Sequence, residues 1–273
     1  MDREKYNEQE LPIKAELQVL FGNQKDTVIF EIGACEGEDS IKYAKLFPKG
    51  NVYSFEPLPN NVMLIKQNLS KHEISNVKVV DVALSDKKGT AKFHVSQGKP
   101  TGVGEVNWDF GNKSSSLLKP EKHLELTNFI SFDQKISVVT DTIQSFCTDN
   151  NISRIDFIHM DAQGAELLIL KGAKGFINNI KAIWLEVAEV ELYKNQPLVG
   201  DIYKFMLDNN FVLIKNEIEG FAGDQLYISK SYYGNYKSLF PNGEWRKTTL
   251  LYKMILKAKI LARRVVNKIF LPN

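Results

Sequence analysis

Seven residues between 31 and 57 have the types and spacing to hold a nucleoside. Glu31, Gly33, Ala34, Glu36 and Gly37 share one short stretch, and Glu56-Pro57 begins 23 residues after Gly33. A glycine lets the backbone approach a ligand and take dihedrals other residues avoid. A carboxylate at that remove can accept hydrogen bonds from both ribose hydroxyls. The spacing Gly33-x-x-x-Gly37 is not the G-x-G-x-x-G of dinucleotide sites, and Cys35 occupies the second glycine position. An NAD-dependent enzyme is therefore disfavoured. Glu31 and Glu36 also oppose a phosphate, because bare amides and helix N-termini favour anions. Acids suit a cationic or zwitterionic ligand. S-adenosylmethionine, with its amino group and sulfonium and no phosphate, meets that requirement.

A second group lies in Asp161-Ala162-Gln163-Gly164-Ala165-Glu166. Asp161 can orient a reactive centre, accept a proton or hold a cation. Glu166 can cap its helix or touch substrate. His159, two residues earlier, shares a strand face with Asp161 and is the best-placed histidine for base work. Glu186 is a third candidate. Asp161, Glu186 and Glu189 can offer oxygen ligands to a divalent cation, but no spacing demands a metal.

These residues need a scaffold that gathers them at one edge. Residues 27–33, 51–56, 77–83, 155–161 and 181–187 read as strands, with helices at 38–47, 59–71, 165–176 and 200–209. Strands at 211–216 and 225–229 close the series. The alternation predicts an α/β fold, a mainly parallel sheet covered by helices on both faces. Gly33, Glu56, Asp161 and Glu186 then lie at or near strand carboxyl ends, where such sheets bind ligands. Residues 1–25 read as a leading helix with Leu11, Ala15, Leu17, Leu20 and Phe21 on its apolar face. An extra strand is expected at 90–96 and a returning strand at 136–140, with Asp141 capping a short helix to Asn150. The polar, glycine-rich stretch 97–135 reads as an inserted loop or lid, whose Trp108, Phe110 and serines can stack on and hydrogen-bond a sugar.

Composition is that of a globular chain, 43% hydrophobic and 25% charged, with a net charge of +2. The charge is uneven. Trp245 to Asn273 carries eight Lys/Arg and no Asp/Glu, leaving 27 basic against 33 acidic residues before it. That balance argues against a nucleic-acid surface spread over the molecule. In 246–270, Leu251, Ile255, Ala258, Leu261 (or Ala262), Val265 and Ile269 recur at helical spacing among cations. Such a helix can lie on an anionic membrane, on a partner, or on the protein's own acidic body. Cys35 and Cys147 form neither a metal motif nor a disulfide framework, which points to a reducing compartment. No signal peptide and no apolar run of membrane-spanning length is visible. A cytoplasmic protein is expected, with the basic segment a possible peripheral contact to the inner face of the membrane. The organisation expected is a helical extension (1–25), a main domain (26–232) and a basic amphipathic helix (233–273).

Motifs in sequence order carry a family resemblance. They are Phe30-Glu31-Ile32-Gly33-Ala34, Phe55-Glu56-Pro57, Ala83-Leu84-Ser85-Asp86, Ser115-Ser116-Leu117, Ile155 to Glu166, and Leu170-Lys171-Gly172-Ala173. Over roughly 25–230 the chain resembles the FkbM family of S-adenosylmethionine-dependent methyltransferases. The resemblance implies a class I methyltransferase, Rossmann-like sheet of seven strands, the last antiparallel. It implies that Glu31 to Gly37 surround the methionine part of the cofactor and that Glu56 holds the ribose. Asp81, Val82 and Ala83 would lie beside the adenine, and Asp161 would face the methyl group. Family members are similar to O-methyltransferases of sugar or polyketide hydroxyls. Position 159, often lysine in the family, is histidine here, which puts the proton-transfer arrangement in doubt. Asp161-Ala162-Gln163-Gly164 is unlike the Asn/Asp-Pro-Pro-aromatic motif of base methyltransferases, so no nucleic-acid substrate is expected. The alternative is a noncatalytic module that keeps the fold for binding in a glycan-assembly complex. Intact Glu31, Gly33, Glu56 and Asp161 favour the enzyme.

Overall fold

Alternating side chains along the first strand supply both faces of the core. Phe30 and Ile32 of β1 (Val28–Ile32) enter one buried cluster, and Ile29 enters another on the opposite face. The computed structural model describes residues 3–102, 108–123 and 129–234. β2 (Asn51–Phe55), β3 (Val77–Val80), β7 (Ile155–Met160) and β8 (Ile180–Ala188) join β1 in parallel register. β9 (Phe211–Glu219) and β10 (Ala222–Ser229) complete the sheet. Its order is β3-β2-β1-β7-β8-β10-β9, and β10 runs antiparallel to both neighbours. The order reverses beside β1, between β1 and β7. That switch point is where open α/β sheets bind ligands.

Helices cover both faces. α2 (Lys14–Phe21) and α3 (Glu38–Leu46) bring Leu17, Leu20, Phe21 and Tyr43 to one buried cluster. α5 (Ile143–Asp149), α6 (Glu166–Gly172) and α7 (Val199–Asp208) bring Phe146, Leu170 and Met206 to the other. α4 (Pro59–Lys71) packs Ile65 and Leu69 on Ala34 and Ile41. β4 (Ala83–Leu84), β5 (Gly89–Gln97) and β6 (Ser131–Asp141) form a second sheet in the order β4-β6-β5. A short α8 (Lys230–Tyr233) ends the described chain.

Four local expectations are corrected. The leading helix is two helices, α1 (Arg3–Glu8) and α2, because Pro12 lacks an N–H and restricts the residue before it. Strand three ends at Val80, and Ala83–Leu84 crosses to the second sheet. The returning strand starts at Ser131, so part of the expected loop 97–135 is β structure, and a 3-10 turn at Asn112–Ser114 lies within it. Thr142, not Asp141, caps α5: its side chain accepts from Ser145 N at 3.0 Å, while Asp141 accepts from Thr142 N at 2.8 Å. The basic segment 246–270 lies outside the described residues.

Candidate active site

The carboxyl ends of β1, β2 and β7 meet around one glycine. Gly33 has φ +86, and a Cβ there would sit 1.8 Å from the Asp161 carbonyl oxygen. The Asp161 N–H donates to Ile32 O at 3.0 Å. The close approach that requires glycine is thus strand end to strand end. The chain then turns through Cys35 (φ 51) and Gly37 (φ 83), and Gly37 opens α3.

Glu56 is held by backbone. Cys35 N donates to its Oε2 and Leu58 N to its Oε1, both at 2.9 Å. The Asn61 side chain also hydrogen-bonds the carboxylate, which keeps acceptor capacity for a further hydroxyl. Burial pushes the Glu56 carboxyl up to about 7, against the pull of those two amides. Glu31, also buried, accepts from the Ser40 hydroxyl. Burial first, then the charges of Asp39 and Glu38, raise its pKa well above the carboxylate range.

After β7, Asp161 accepts from Gln163 Nε2 at 2.6 Å. Glu166 turns back on its own loop, accepting from Ala162 N at 2.9 Å and Gly164 N at 3.2 Å. Burial lifts it to about 7. Glu186 accepts from Gln163 Nε2 at 3.3 Å. Burial, then the Asp161 and Glu166 charges, raise its pKa well above the ordinary range. His159 Nδ1 is buried without a hydrogen-bond partner among the described residues and lies 4.0 Å from Asp39 Oδ2.

Between these groups is a cleft of about 1030 Å³, open water at its mouth included. Glu31, Gly33, Ala34, Glu56, Pro57, Val82, Ala83, His159 and Asp161 line it. Four expected positions stand back from its wall. Glu36 is buried under an ion pair with Arg3 and accepts from Asn112 Nδ2 at 2.8 Å. Gly37 faces Ile65 of α4. Asp81 is exposed, because the chain leaves the main sheet after Val80 and turns Val82 and Ala83 inward instead. Glu186 sits behind Gln163. Among carboxylates, Asp161, Glu166 and Glu186 bring oxygens within 4.8 Å of one another, and Glu31 and Asp39 do so with His159. Glu189, expected as a possible metal ligand, belongs to neither group.

The sequence reading missed one wall of the cleft. Tyr6 of α1 lines it, with its hydroxyl 3.1 Å from both Asp39 carboxylate oxygens and its ring 5.2 Å from that of Trp108. Lys113 Nζ lies 4.1 Å from the Trp108 ring centroid. No spacing rule connects Tyr6 to a loop more than 25 residues away.

The donor set fits S-adenosylmethionine. Glu56 brings a carboxylate to the cleft wall that can accept from a ribose hydroxyl. Val82, Ala83, Leu84, Phe93 and Leu117 make an apolar wall for a purine. The lining holds Glu31, Glu38, Asp39 and Asp161 but a single lysine, Lys113, which suits a cation and not a polyphosphate.

The methyltransferase FkbM domain, as a family model, matches residues 31–213 of the chain. The chain belongs to the FkbM methyltransferase family. It is therefore an S-adenosylmethionine-dependent methyltransferase, and its sheet is the class I methyltransferase sheet. The chain is similar to the 2-O-methyltransferase NoeI of Sinorhizobium fredii, with 31% identity over 202 residues, 74% of this chain and 79% of the relative. It is 27% identical to the methyltransferase sdnD of Sordaria araneosa over 157 residues, 53% of this chain and 59% of the relative. Among solved structures, magnesium protoporphyrin IX methyltransferase (ChlM) from Synechocystis PCC 6803 aligns over 84% of this chain and 79% of that one. The identity is 13% and the TM-score 0.43. Helix α1, with Tyr6, precedes the matched region.

Proposed function

We propose that this family member is an O-methyltransferase whose acceptor is a hydroxyl of a sugar or glycan. Its 31% identity to a 2-O-methyltransferase supports oxygen as the acceptor atom. The observation that carries the mechanistic reading is His159. Its Nδ1 lacks a hydrogen-bond partner at the cleft wall, with Asp39 4.0 Å away.

S-adenosylmethionine, when bound, supplies an electrophilic methyl group. The residues of the chain do the rest. Glu56 holds the ribose through its carboxylate. Asp161 offers a negative charge to the cationic end of the cofactor. His159 takes the proton of the acceptor hydroxyl as its oxygen attacks, and Asp39 stabilises the imidazolium that forms. Glu186 is unsuited to that task, since it stands back from the cleft wall with Gln163 in front of it. Trp108 and Tyr6, with Lys113 and Lys42 over one face of each, give the outer cleft aromatic rings against which a pyranose can pack. No described helix is long and apolar enough to cross a membrane. The cationic sequence 246–270 is read as a docking segment for an anionic surface, which suits a cytoplasmic enzyme working beside a membrane on a glycan substrate.

Transfer from methyl-labelled S-adenosylmethionine to a panel of methyl glycosides tests this reading. His159→Ala is expected to lower kcat by about 10²–10⁴-fold, the ordinary worth of a general base, while leaving S-adenosylhomocysteine affinity intact. Equal rates for variant and wild type would remove His159 from the mechanism.

A further inference from the structure

Gln163 has an unusual set of neighbours for a loop residue. Its Nε2 faces two carboxylates, Asp161 Oδ1 at 2.6 Å and Glu186 Oε2 at 3.3 Å. Its Oε1 lies 2.9 Å from the Tyr193 hydroxyl, whose single proton is shared with Ser114 O at 2.7 Å. Its carbonyl accepts from Ser116 Oγ at 2.7 Å. Its backbone is left-handed, at φ 52, a conformation uncommon for a residue with a Cβ. The amide's orientation follows from its partners, because two carboxylates require donors on one side.

An amide of this length satisfies the arrangement on both sides. A glutamate would place a third carboxylate against two others. A methionine of similar reach has no N–H to give. Tyr193 is fully buried, and its bridge to Pro120 ties it to the segment whose Lys113, Ser115 and Leu117 line the cleft. Gln163 thus connects three separate chain segments to one oxygen of Asp161.

We propose that Gln163 is a positioning residue that aims the Asp161 carboxylate at the cationic, methyl-bearing end of the bound cofactor. This inference rests on the methyltransferase reading of the site. Gln163 acts through Asp161. By binding Oδ1 it restrains rotation about the last side-chain bond and sets the direction of the carboxylate at the cleft wall. With no such donor, Asp161 would repel Glu186 or turn toward solvent, and the carboxylate would lose its direction before any substrate arrived.

The test needs no acceptor substrate. Sinefungin carries an amine where S-adenosylmethionine carries its methylsulfonium, and S-adenosylhomocysteine carries a neutral thioether there. The ratio of their calorimetric dissociation constants reports the negative charge aimed at that position. Wild type is expected to favour sinefungin. Asp161→Asn is expected to abolish the preference. Gln163→Met is expected to lower it about tenfold or more, with S-adenosylhomocysteine affinity unchanged. A merely structural defect would weaken both ligands alike and would overturn the proposal. Gln163→Asn is the second variant: asparagine tolerates the left-handed backbone, yet its shorter side chain withdraws the donor from both acids. It should lose the preference as methionine does. A wild-type ratio in both variants refutes the positioning role while leaving the methyltransferase reading intact. Failure of wild type to bind either ligand overturns that reading, and this inference with it.

Discussion

Glu56 carries the cofactor reading at the level of single residues, and its surroundings set a pH dependence. Its pKa in the folded protein is about 7, against an ordinary carboxylate value of 4.5, and Glu166 behaves alike. Between those values the native state holds more protons than the unfolded chain. The contribution of these groups to stability is therefore present at low pH and is lost as pH rises through that window. The melting temperature of the ligand-free protein is expected to fall between about pH 5 and pH 7 for this reason, as thermal unfolding across that range would show. Affinity for S-adenosylhomocysteine should move oppositely. Ribose hydroxyls need the ionised carboxylate, so titration should show binding strengthening up to about pH 7 and then levelling. Much of this site was legible in the residues. Glu31, Gly33, Glu56, His159 and Asp161 follow from type, spacing and strand ends. Tyr6, Asp39 and the bridging role of Gln163 were not legible, because each depends on a contact between segments distant in sequence.

Secondary-structure elements deliver those residues, and their joints are the sensitive places. Gly33→Ala puts a methyl carbon within 1.8 Å of the Asp161 carbonyl at a left-handed φ. The two strand ends must separate, so a loss of more than about 3 kcal/mol is expected, read as a shift in urea midpoint. At the opposite edge, Asp156 is fully buried at the start of β7. It accepts from Val28 N at 2.7 Å and from Lys181 Nζ at 2.6 Å, and pairs with Arg154. Asp156→Asn is expected to cost roughly 1.5–3 kcal/mol, the worth of a hydrogen bond to a charged group, without changing cofactor affinity in the folded fraction. Helix α1 behaves differently. It buries no residue and is held by Arg3, Tyr6 and Asn7 through polar contacts. Tyr6→Ala is expected to leave the melting temperature nearly unchanged and to speed S-adenosylhomocysteine dissociation in stopped-flow measurements. The main strands and helices were readable from apolar periodicity. Pro12 is the local signal for the break between α1 and α2, and the apolar spacing from Leu11 to Phe21 runs across it. The transfer of Ala83–Leu84 to a second sheet had no local signal, since an apolar strand looks the same whichever partner it pairs with.

At the scale of the molecule, the order β3-β2-β1-β7-β8-β10-β9 puts the switch point beside Gly33 and gathers Glu56, His159 and Asp161 at one edge. The family match spans 31–213 and covers the strands that carry these residues. α1 and the stretch around Trp108 come from outside the sheet and meet over its cleft, with ring centroids 5.2 Å apart. The α/β class was legible from the alternation of elements. The count of seven strands and the antiparallel last one came with the family resemblance, and the strand order came only with the structure, because pairing order is a property of long-range register that single-segment patterns do not encode. The account as a whole rests on Glu56 holding the ribose of S-adenosylmethionine. Its most direct test is calorimetric titration of the purified protein with S-adenosylhomocysteine, wild type beside Glu56→Ala. The account predicts micromolar binding by wild type and a loss of at least about 100-fold, near 2.7 kcal/mol, in the variant. Equal affinity in the two proteins, or no binding by folded wild type, would contradict it.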